Sequence, residues 1–274
     1  MASNVTLSAG VRQNLLSLQN TAELLSQTQE RLSTGKKVNS ALDNPGNFFT
    51  SQSLQSRGSD LSALLDSMGN AVQTINAADV GISAITKLVE SAKAVANQAM
   101  ASSDAAVRSD LATQFGDLLT QIDELAADAS FNGVNLLDGD DLTVNFNEDA
   151  SSQLVITGVD ATTGGDLAIA AAANAWVADA DIQAALDDIT AADTGLGWLR
   201  TQAQVFGSNL TVVQARQDFT KNLINVLQVG ADNLVLADVN EESANMLALQ
   251  TRQQLSTVAL SLASQADQAV LRLF

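Results

Sequence analysis

Carboxylates are the side chains of this sequence that could do chemistry, because its 274 residues include no histidine and no cysteine. Without those residue types, a Ser-His-Asp or Cys-His enzyme, a disulfide and a cysteine-bound metal site are excluded. Asp138, Asp140 and Asp141 have the spacing of a calcium loop. However, Thr143 stands where that loop needs glycine, and its distal glutamate is missing. We interpret the three aspartates as a solvated acidic turn and expect no metal site.

Asp187 and Asp188 are a second carboxylate pair, which could act as acid and base in a hydrolase. Adjacent residues of a helix point to different faces, so we interpret the pair as charged helix surface. The sequence has neither a Walker-type phosphate loop nor a dinucleotide fingerprint. We therefore expect no enzyme and no cofactor, and a paired-carboxylate hydrolase is the last of the alternatives.

The acidic charge is concentrated in the middle of the chain. The formal net charge is -18, and residues 104–193 hold 18 acids and one base, Arg108. The near-neutral ends suit surfaces that pack against copies of themselves, because like charges repel. The bases are scattered, so we expect no nucleic-acid partner. Residues 167–178, the longest apolar run, are too short to span a bilayer, and residues 1–20 lack a secretory pattern, so we expect no membrane partner and no signal-peptide export.

Apolar residues recur every 3.5 positions over long stretches, as coiled-coil helices require. Gly35 fits the end of a helix, Asn44-Pro45-Gly46 fits a turn, and Asp238 fits the cap of the last helix. The spacing and these signals predict helices at about 5–33, 48–102, 105–130, 196–236 and 239–273.

A short β-rich insertion separates the helices. Residues 142–147 and 153–159 alternate and are rich in branched side chains, which predicts a hairpin, and residues 180–192 fit a short acidic helix. The helices on either side need partners for their seams, so we expect them to pair with each other. The predicted fold is mainly α: a long antiparallel coiled-coil helical rod with a small β-hairpin insertion.

Both ends of the chain carry more apolar residues than one intrachain helix pair would cover. Exposed apolar area on a neutral surface marks an interface, so these stripes predict self-association. The residues that we expect to pack between subunits are Val11, Leu15, Leu18, Leu25, Leu32, Leu255, Val258, Leu262 and Val270.

Several ordered motifs resemble those of the bacterial flagellin family. Residues 31–44 (RLSTGKKVNSALDN) are similar to its N-terminal signature, and residues 207–210 and 238–274 resemble parts of its C-terminal arm. The resemblance covers about residues 1–137 and 195–274. The matching signature positions are Arg31, Leu32, Gly35, Asn39, Ser40, Ala41 and Asp43, and a second motif, Phe131-Asn132-Gly133, is similar to the segment that ends the N-terminal arm.

The resemblance implies a structural subunit that is secreted through the flagellar export channel and polymerises into the extracellular filament used for swimming. The implied partners are copies of itself, sibling flagellins, the filament cap, hook-associated proteins and an export chaperone. The implied layout is an inner-tube helix and turn at 1–44, rod-domain arms at 45–137 and 196–236, a small acidic outer region at 138–195, and a second inner-tube helix at 237–274.

One stretch departs from the family pattern. An innate immune receptor reads Leu-Gln-Arg-x-Arg-Glu-Leu in many flagellins, and the best-aligned residues here keep Leu88 but have Glu90 and Ala92 in place of the arginines. We expect weak or absent recognition by that receptor. A hook–filament junction protein, which shares both terminal arms, is the close alternative, and an intracellular coiled-coil scaffold is a more distant one.

Overall fold

The computed structural model describes residues 9–271, apart from the side chains at positions 267, 270 and 271. Within this range the chain is mainly α-helical with one small antiparallel hairpin, which confirms the predicted fold class. The elements are α1 (Ala9–Thr34), α2 (Pro45–Ala101), α3 (Ala105–Asp128), β1 (Leu142–Asn145), β2 (Gln153–Ile156), α4 (Asp179–Thr190), α5 (Gly195–Val235) and α6 (Val239–Leu271).

The segment Asn44-Pro45-Gly46, expected to be a turn, opens α2 instead. Pro45 is the first helical residue, and the side-chain oxygen of Asn44 accepts a hydrogen bond from the Asn47 N–H at 3.0 Å. Proline is well suited to the first helical position because its missing N–H would have no partner inside the helix. The prediction of a break was therefore wrong for Pro45 and Gly46, and α2 begins three residues earlier than expected.

The chain divides into two compact units. Unit 1 takes its residues from the two ends of the chain, 1–56 and 226–274, and unit 2 is the continuous segment Arg57–Asn225. In unit 1, α1 and α6 pack along each other. The two helices run antiparallel, since the end of α1 lies beside the start of α6, where Arg31 donates a hydrogen bond to Glu242. The expectation that the two ends of the chain pair with each other is confirmed within this unit.

Unit 2 is built on the coiled-coil seams that the sequence predicts. On α2 the residues at seven-residue spacing, Leu61, Met68, Ile75, Ile82 and Val89, are all buried. Matching seams on α3 and α5 close one continuous apolar core with the last four of these residues. The burial of large side chains from helices that are distant in the sequence therefore determines which face of each helix points inward.

The hairpin and the segment that follows it pack on these helices. Strands β1 and β2 pair with Val144 opposite Leu154, and the Arg216 guanidinium of α5 lies over the Phe146 ring, 5.1 Å from its centroid. Further along, Trp176 is fully buried and its ring centroid is 4.9 Å from that of Phe115 on α3. The acidic insertion is thus anchored to the helices of unit 2 by contacts of aromatic side chains.

Gly81 of α2 allows the chain after α3 to approach closely. A Cβ at this position would lie 2.7 Å from Leu137 Cδ1 and 2.9 Å from Ala129 Cβ, and Leu137 is fully buried. By contrast, a Cβ at Gly116 of α3 would meet nothing within 4 Å. Adding a Cβ at Gly81 therefore changes both the packing and the helix propensity, whereas adding one at Gly116 of the same unit changes the helix propensity alone.

We predict that Gly81→Ala lowers the thermal unfolding temperature of the dilute chain. Overpacking of this kind costs about 1–3 kcal/mol, which exceeds the gain of about 1 kcal/mol in helix propensity. Gly116→Ala should raise the unfolding temperature, because only the propensity gain applies there. Circular dichroism of both variants checks this, and an unchanged or raised temperature for Gly81→Ala would contradict the packing argument.

Candidate assembly surface

The seam between α1 and α6 is poorer in large apolar residues than the seams of unit 2. Val11 is 5% exposed, and Leu18, Leu25 and Leu32 are half-buried. Between them stand the buried threonines Thr21 and Thr28 of α1. The hydroxyl of Thr21 donates to the Ser17 carbonyl oxygen at 2.7 Å, so burial leaves it with a hydrogen bond. Most of the predicted α1 residues therefore lie in the intrachain seam, while Leu15 is exposed.

Helix α6 leaves several of its large apolar residues exposed to solvent. One face of α6 is partly buried, and we assign it to the contact with α1: Met246, Leu249, Gln253, Ser256 and Leu260. The opposite face of α6 carries a row of exposed residues at steps of three and four, which we name the α6 stripe: Leu247, Thr251, Leu255, Val258 and Leu262.

The α6 stripe contains three of the predicted packing residues. Leu255 is 66% exposed and Leu262 is 61% exposed, and Val258 lies between them. The fourth predicted residue of this helix, Val270, has its side chain outside the described residues. A row of this size on one helix face is an exposed apolar patch of the kind that marks interaction sites.

The Arg31 side chain fastens α1 to the first turn of α6. Its Nη1 lies 3.0 Å from the Glu242 Oε1, and the side chain of Glu242 is 10% exposed. Removing the arginine would leave a buried carboxylate without its partner, which is costly. Arg31 thus has a defined structural role that its place in the signature motif did not reveal.

The rest of the signature forms the turn after α1. Gly35 has a φ of 69°, a left-handed conformation that favours glycine at a helix end, and its carbonyl accepts from the Ala237 N–H at 3.0 Å. Next, the Lys37 N–H donates to the Val235 carbonyl at 2.7 Å. The link after α1 and the link between α5 and α6 are therefore joined by backbone hydrogen bonds.

Asp43 organises the second half of the signature. Its Oδ2 accepts hydrogen bonds from the N–H groups of Ser40 (2.9 Å) and Asn39 (3.0 Å), and from the Ser40 hydroxyl. These bonds, with the Ser40 N–H as the largest cause, lower the pKa of the Asp43 carboxyl below its ordinary value of 3.8. Ala41 lies half-buried inside this turn.

Asn132 and Gly133 form a tight turn between Phe131 and Val134. Both residues have positive φ, 52° and 81°, and the flanking residues exchange two backbone hydrogen bonds. This is the type I′ arrangement, which favours Asn-Gly.

Asn135, which the sequence reasoning missed, completes the end of α3. Its side-chain N–H₂ donates to the carbonyls of Ala126 and Ala127 at 2.8 and 2.9 Å, and its Oδ1 accepts from the Leu137 N–H. Asparagine just after an Asn-Gly turn was the available signal, but a single polar residue in a loop is too common to stand out.

The receptor-aligned stretch lies on α2 within unit 2. Glu90 is exposed, Leu88 is half-buried and Ala92 is completely buried. A long cationic side chain would not fit at position 92 without displacing the core. The difference that a partner could sense on the surface is therefore the acid at position 90.

Four of the five carboxylates considered for chemistry make structural hydrogen bonds. Asp140 accepts from the Asn135 N–H at 2.9 Å, and Asp141 accepts from the Gly158 N–H at 3.0 Å. Asp187 and Asp188 bond different partners, the Gln183 amide and the Ala170 N–H. Among the described residues, no group of three metal-ligating side chains converges, and no described helix is long and apolar enough to cross a membrane.

Comparison with known proteins accounts for this pattern of motifs. The model of the bacterial flagellin N-terminal helical region matches residues 8–141, and that of the C-terminal helical region matches residues 180–274. The chain belongs to the bacterial flagellin family. It is 32% identical over 277 residues to flagellin FljM of Caulobacter vibrioides, which covers 99% of this chain and 98% of that protein.

A flagellin of Brucella melitensis is 28% identical over 287 residues, covering 100% of this chain and 99% of its own. A solved structure of Bacillus cereus flagellin aligns with a TM-score of 0.33 at 14% identity, over 66% of this chain and 94% of that one. That level of structural similarity does not by itself indicate a shared fold.

This flagellin is a structural subunit that polymerises, with itself or with sibling flagellins, into the extracellular flagellar filament used for swimming. Nothing in the comparisons favours the hook–filament junction protein considered from the sequence. The exposed apolar residues of α6 are therefore candidate contacts with other subunits.

We predict that the Asp43 carboxyl titrates below pH 3.8, because the folded turn stabilises its charged form. The stability that Asp43 contributes is present above its ordinary pKa and is lost as the pH falls through the lowered pKa of the folded state. Carbon-13 NMR titration of the side chain checks this. Ser40→Ala removes one of the three bonds and should raise the midpoint part of the way. A midpoint at or above 3.8 in the unaltered chain would refute the assignment.

Proposed function

We propose that the α6 stripe packs against neighbouring copies of the chain and forms the inner layer of the filament. The observation that carries this proposal is the exposure of Leu255, Val258 and Leu262 on a helix whose opposite face already has α1 as its partner. Leu15 on α1 extends the same kind of exposed apolar surface.

The energetics support an interface at the α6 stripe. Burying one leucine side chain is worth about 2 kcal/mol, and in a polymer the same contact is repeated at every subunit. The residues of the described stripe carry no charge, so their burial needs no compensating ion pair. Large apolar residues on this face are therefore consistent with a surface that is covered after assembly.

Four of the packing residues predicted on α1 have a different role in this proposal: Val11, Leu18, Leu25 and Leu32. They lie in the seam between α1 and α6, where they hold α6 in position rather than meeting another subunit. Arg31 and Glu242 fix the register of the pair at the end that is joined to the rest of the chain. The signature turn at residues 35–43 then connects this pair to α2.

The proposal includes the finer layout and partners implied by the family. Residues 1–44 and 237–274 would form the inner tube, 45–137 and 196–236 the two arms of the outer rod domain, and 138–195 the acidic outer region. The filament cap, hook-associated proteins and an export chaperone would meet the chain before or at assembly. The chain would act by packing alone and carry out no catalysis.

We predict that Leu262→Asp prevents the chain from entering filaments. A carboxylate placed in an apolar interface loses its hydration without gaining a partner, and each subunit would carry the defect. Ser261→Asp adds the same charge at the preceding position of α6, which is exposed but outside the stripe. Seeded polymerisation followed by sedimentation and electron microscopy compares the two. Normal filaments from Leu262→Asp would contradict the proposal.

We also propose that the innate immune receptor for flagellins recognises this chain weakly or not at all. Glu90 presents an acid on the surface of α2 where many flagellins have arginine, so a receptor surface that pairs with arginine would meet a repelling charge. A cell-reporter assay with dissociated monomer measures this. Activation at the level of an arginine-containing flagellin would overturn the prediction.

A further inference from the structure

A second exposed apolar row lies on α5, within unit 2. Val205, Val212 and Phe219 recur every seven residues and share one face of the helix, and Phe219 is 59% exposed. Phe206 and Val213, on the neighbouring face, are buried in the core. The helix thus has one apolar face used inside the unit and another left at its surface. We name Val205, Val212 and Phe219 the α5 stripe.

A concave apolar surface between α2 and the end of α3 also belongs to unit 2. Its cavity volume is about 460 Å³, which is within the size range of pockets that take small organic groups. Val80 in this groove is 68% exposed, although Ala78 and Ile82 on the same helix are buried. We name this surface the Val80 groove; its apolar lining includes Val80, Gly81, Ala84, Leu125, Ala129 and Phe131.

The charges beside the two surfaces are opposite. Arg216, whose guanidinium lies over the Phe146 ring of the same chain, follows Val212 by four residues and precedes Phe219 by three, so its positive charge flanks the α5 stripe. Asp128 lines the Val80 groove, and α3, which carries it, belongs to the strongly acidic segment of the chain. A copy of this chain therefore offers both an apolar row with a cation and an apolar groove with an anion.

We propose that the α5 stripe of one subunit docks in the Val80 groove of the next subunit. This inference rests on the proposed function, because it takes the occupant of the groove to be another copy in the polymer. Phe219 fills the groove, and Arg216 approaches Asp128 at its rim. The contact joins two copies through unit 2 and is separate from the packing of the α6 stripe in unit 1.

The type of polymer favours two different surfaces over one that matches itself. A surface that pairs with its own copy closes a two-fold dimer, whereas an open helical filament needs unlike surfaces that meet head to tail. The α5 stripe and the Val80 groove share no residue and are flanked by charges of opposite sign. They therefore meet the requirement for a contact that continues from subunit to subunit.

The absence of native cysteine allows a direct test. Phe219→Cys and Val80→Cys chains are prepared separately, mixed in equal amounts, polymerised on wild-type seeds and treated with a short bis-maleimide. Mixing single variants ensures that any cross-link joins two chains. We expect covalent dimers in filaments of this mixture and none in the dilute unpolymerised mixture.

Val177→Cys is the matched control, because Val177 is equally exposed at 68% and lies in unit 2 outside the groove. Mixed with Phe219→Cys, it should give background cross-linking only. Intact filaments without dimers, or equal dimers from the Val80 and Val177 mixtures, would overturn the pairing. Dimers from Phe219→Cys alone would overturn it too, since they would place stripe against stripe.

The two proposals fail in different ways. The cysteine variants leave the α6 stripe unchanged, so filaments that form without these cross-links argue against the unit 2 contact alone. Conversely, normal assembly of Leu262→Asp together with the expected dimers would overturn the inner-layer proposal and leave this one standing. If Phe219→Cys fails to enter filaments while Val177→Cys enters them, the side chain of Phe219 is needed in an interface, as proposed.

Discussion

Each long helix of this flagellin has a limited number of large apolar residues. The rest of the structure depends on how many of them face the inside of the subunit and how many stay at its surface. In unit 2, α2 and α3 turn their largest residues inward and close one core. In unit 1 the division is more even, because the inner face of α6 has Gln253 and Ser256 beside Leu249. Leu255 and Leu262 stay outside. A subunit that folds by itself and also associates with copies of itself needs both arrangements.

The signature turn between α1 and α2 holds unit 1 together at one end. Backbone bonds join residues 35–38 to 235–237, and Asp43 collects two N–H groups and a hydroxyl in the same turn. The Arg31–Glu242 pair adds a partly buried ionic contact next to it. Because the seam of α1 and α6 is partly polar, these directional bonds add to apolar burial in fixing its register.

The sequence predicted the elements and the fold class well, because a 3.5-residue spacing of large residues allows few other structures. It could not determine which face of α6 would meet α1, since both faces of that helix carry some apolar residues and the choice depends on the partner. Asn135 and the start of α2 at Pro45 depend on a few side-chain hydrogen bonds at helix ends, which leave no periodic signal. The left-handed backbone at Asn174–Trp176 is also silent in the sequence, since neither alanine nor tryptophan favours it.

Trp176 and Trp198 are the two tryptophans of the chain, and both belong to unit 2. The first is fully buried against Phe115 and the second is half-buried. Intrinsic indole fluorescence is therefore an optical signal from unit 2 alone, whereas far-ultraviolet ellipticity sums the helices of both units. Any difference between the two signals during denaturation would separate the melting of the terminal helix pair from that of the core, without a label being added to the chain.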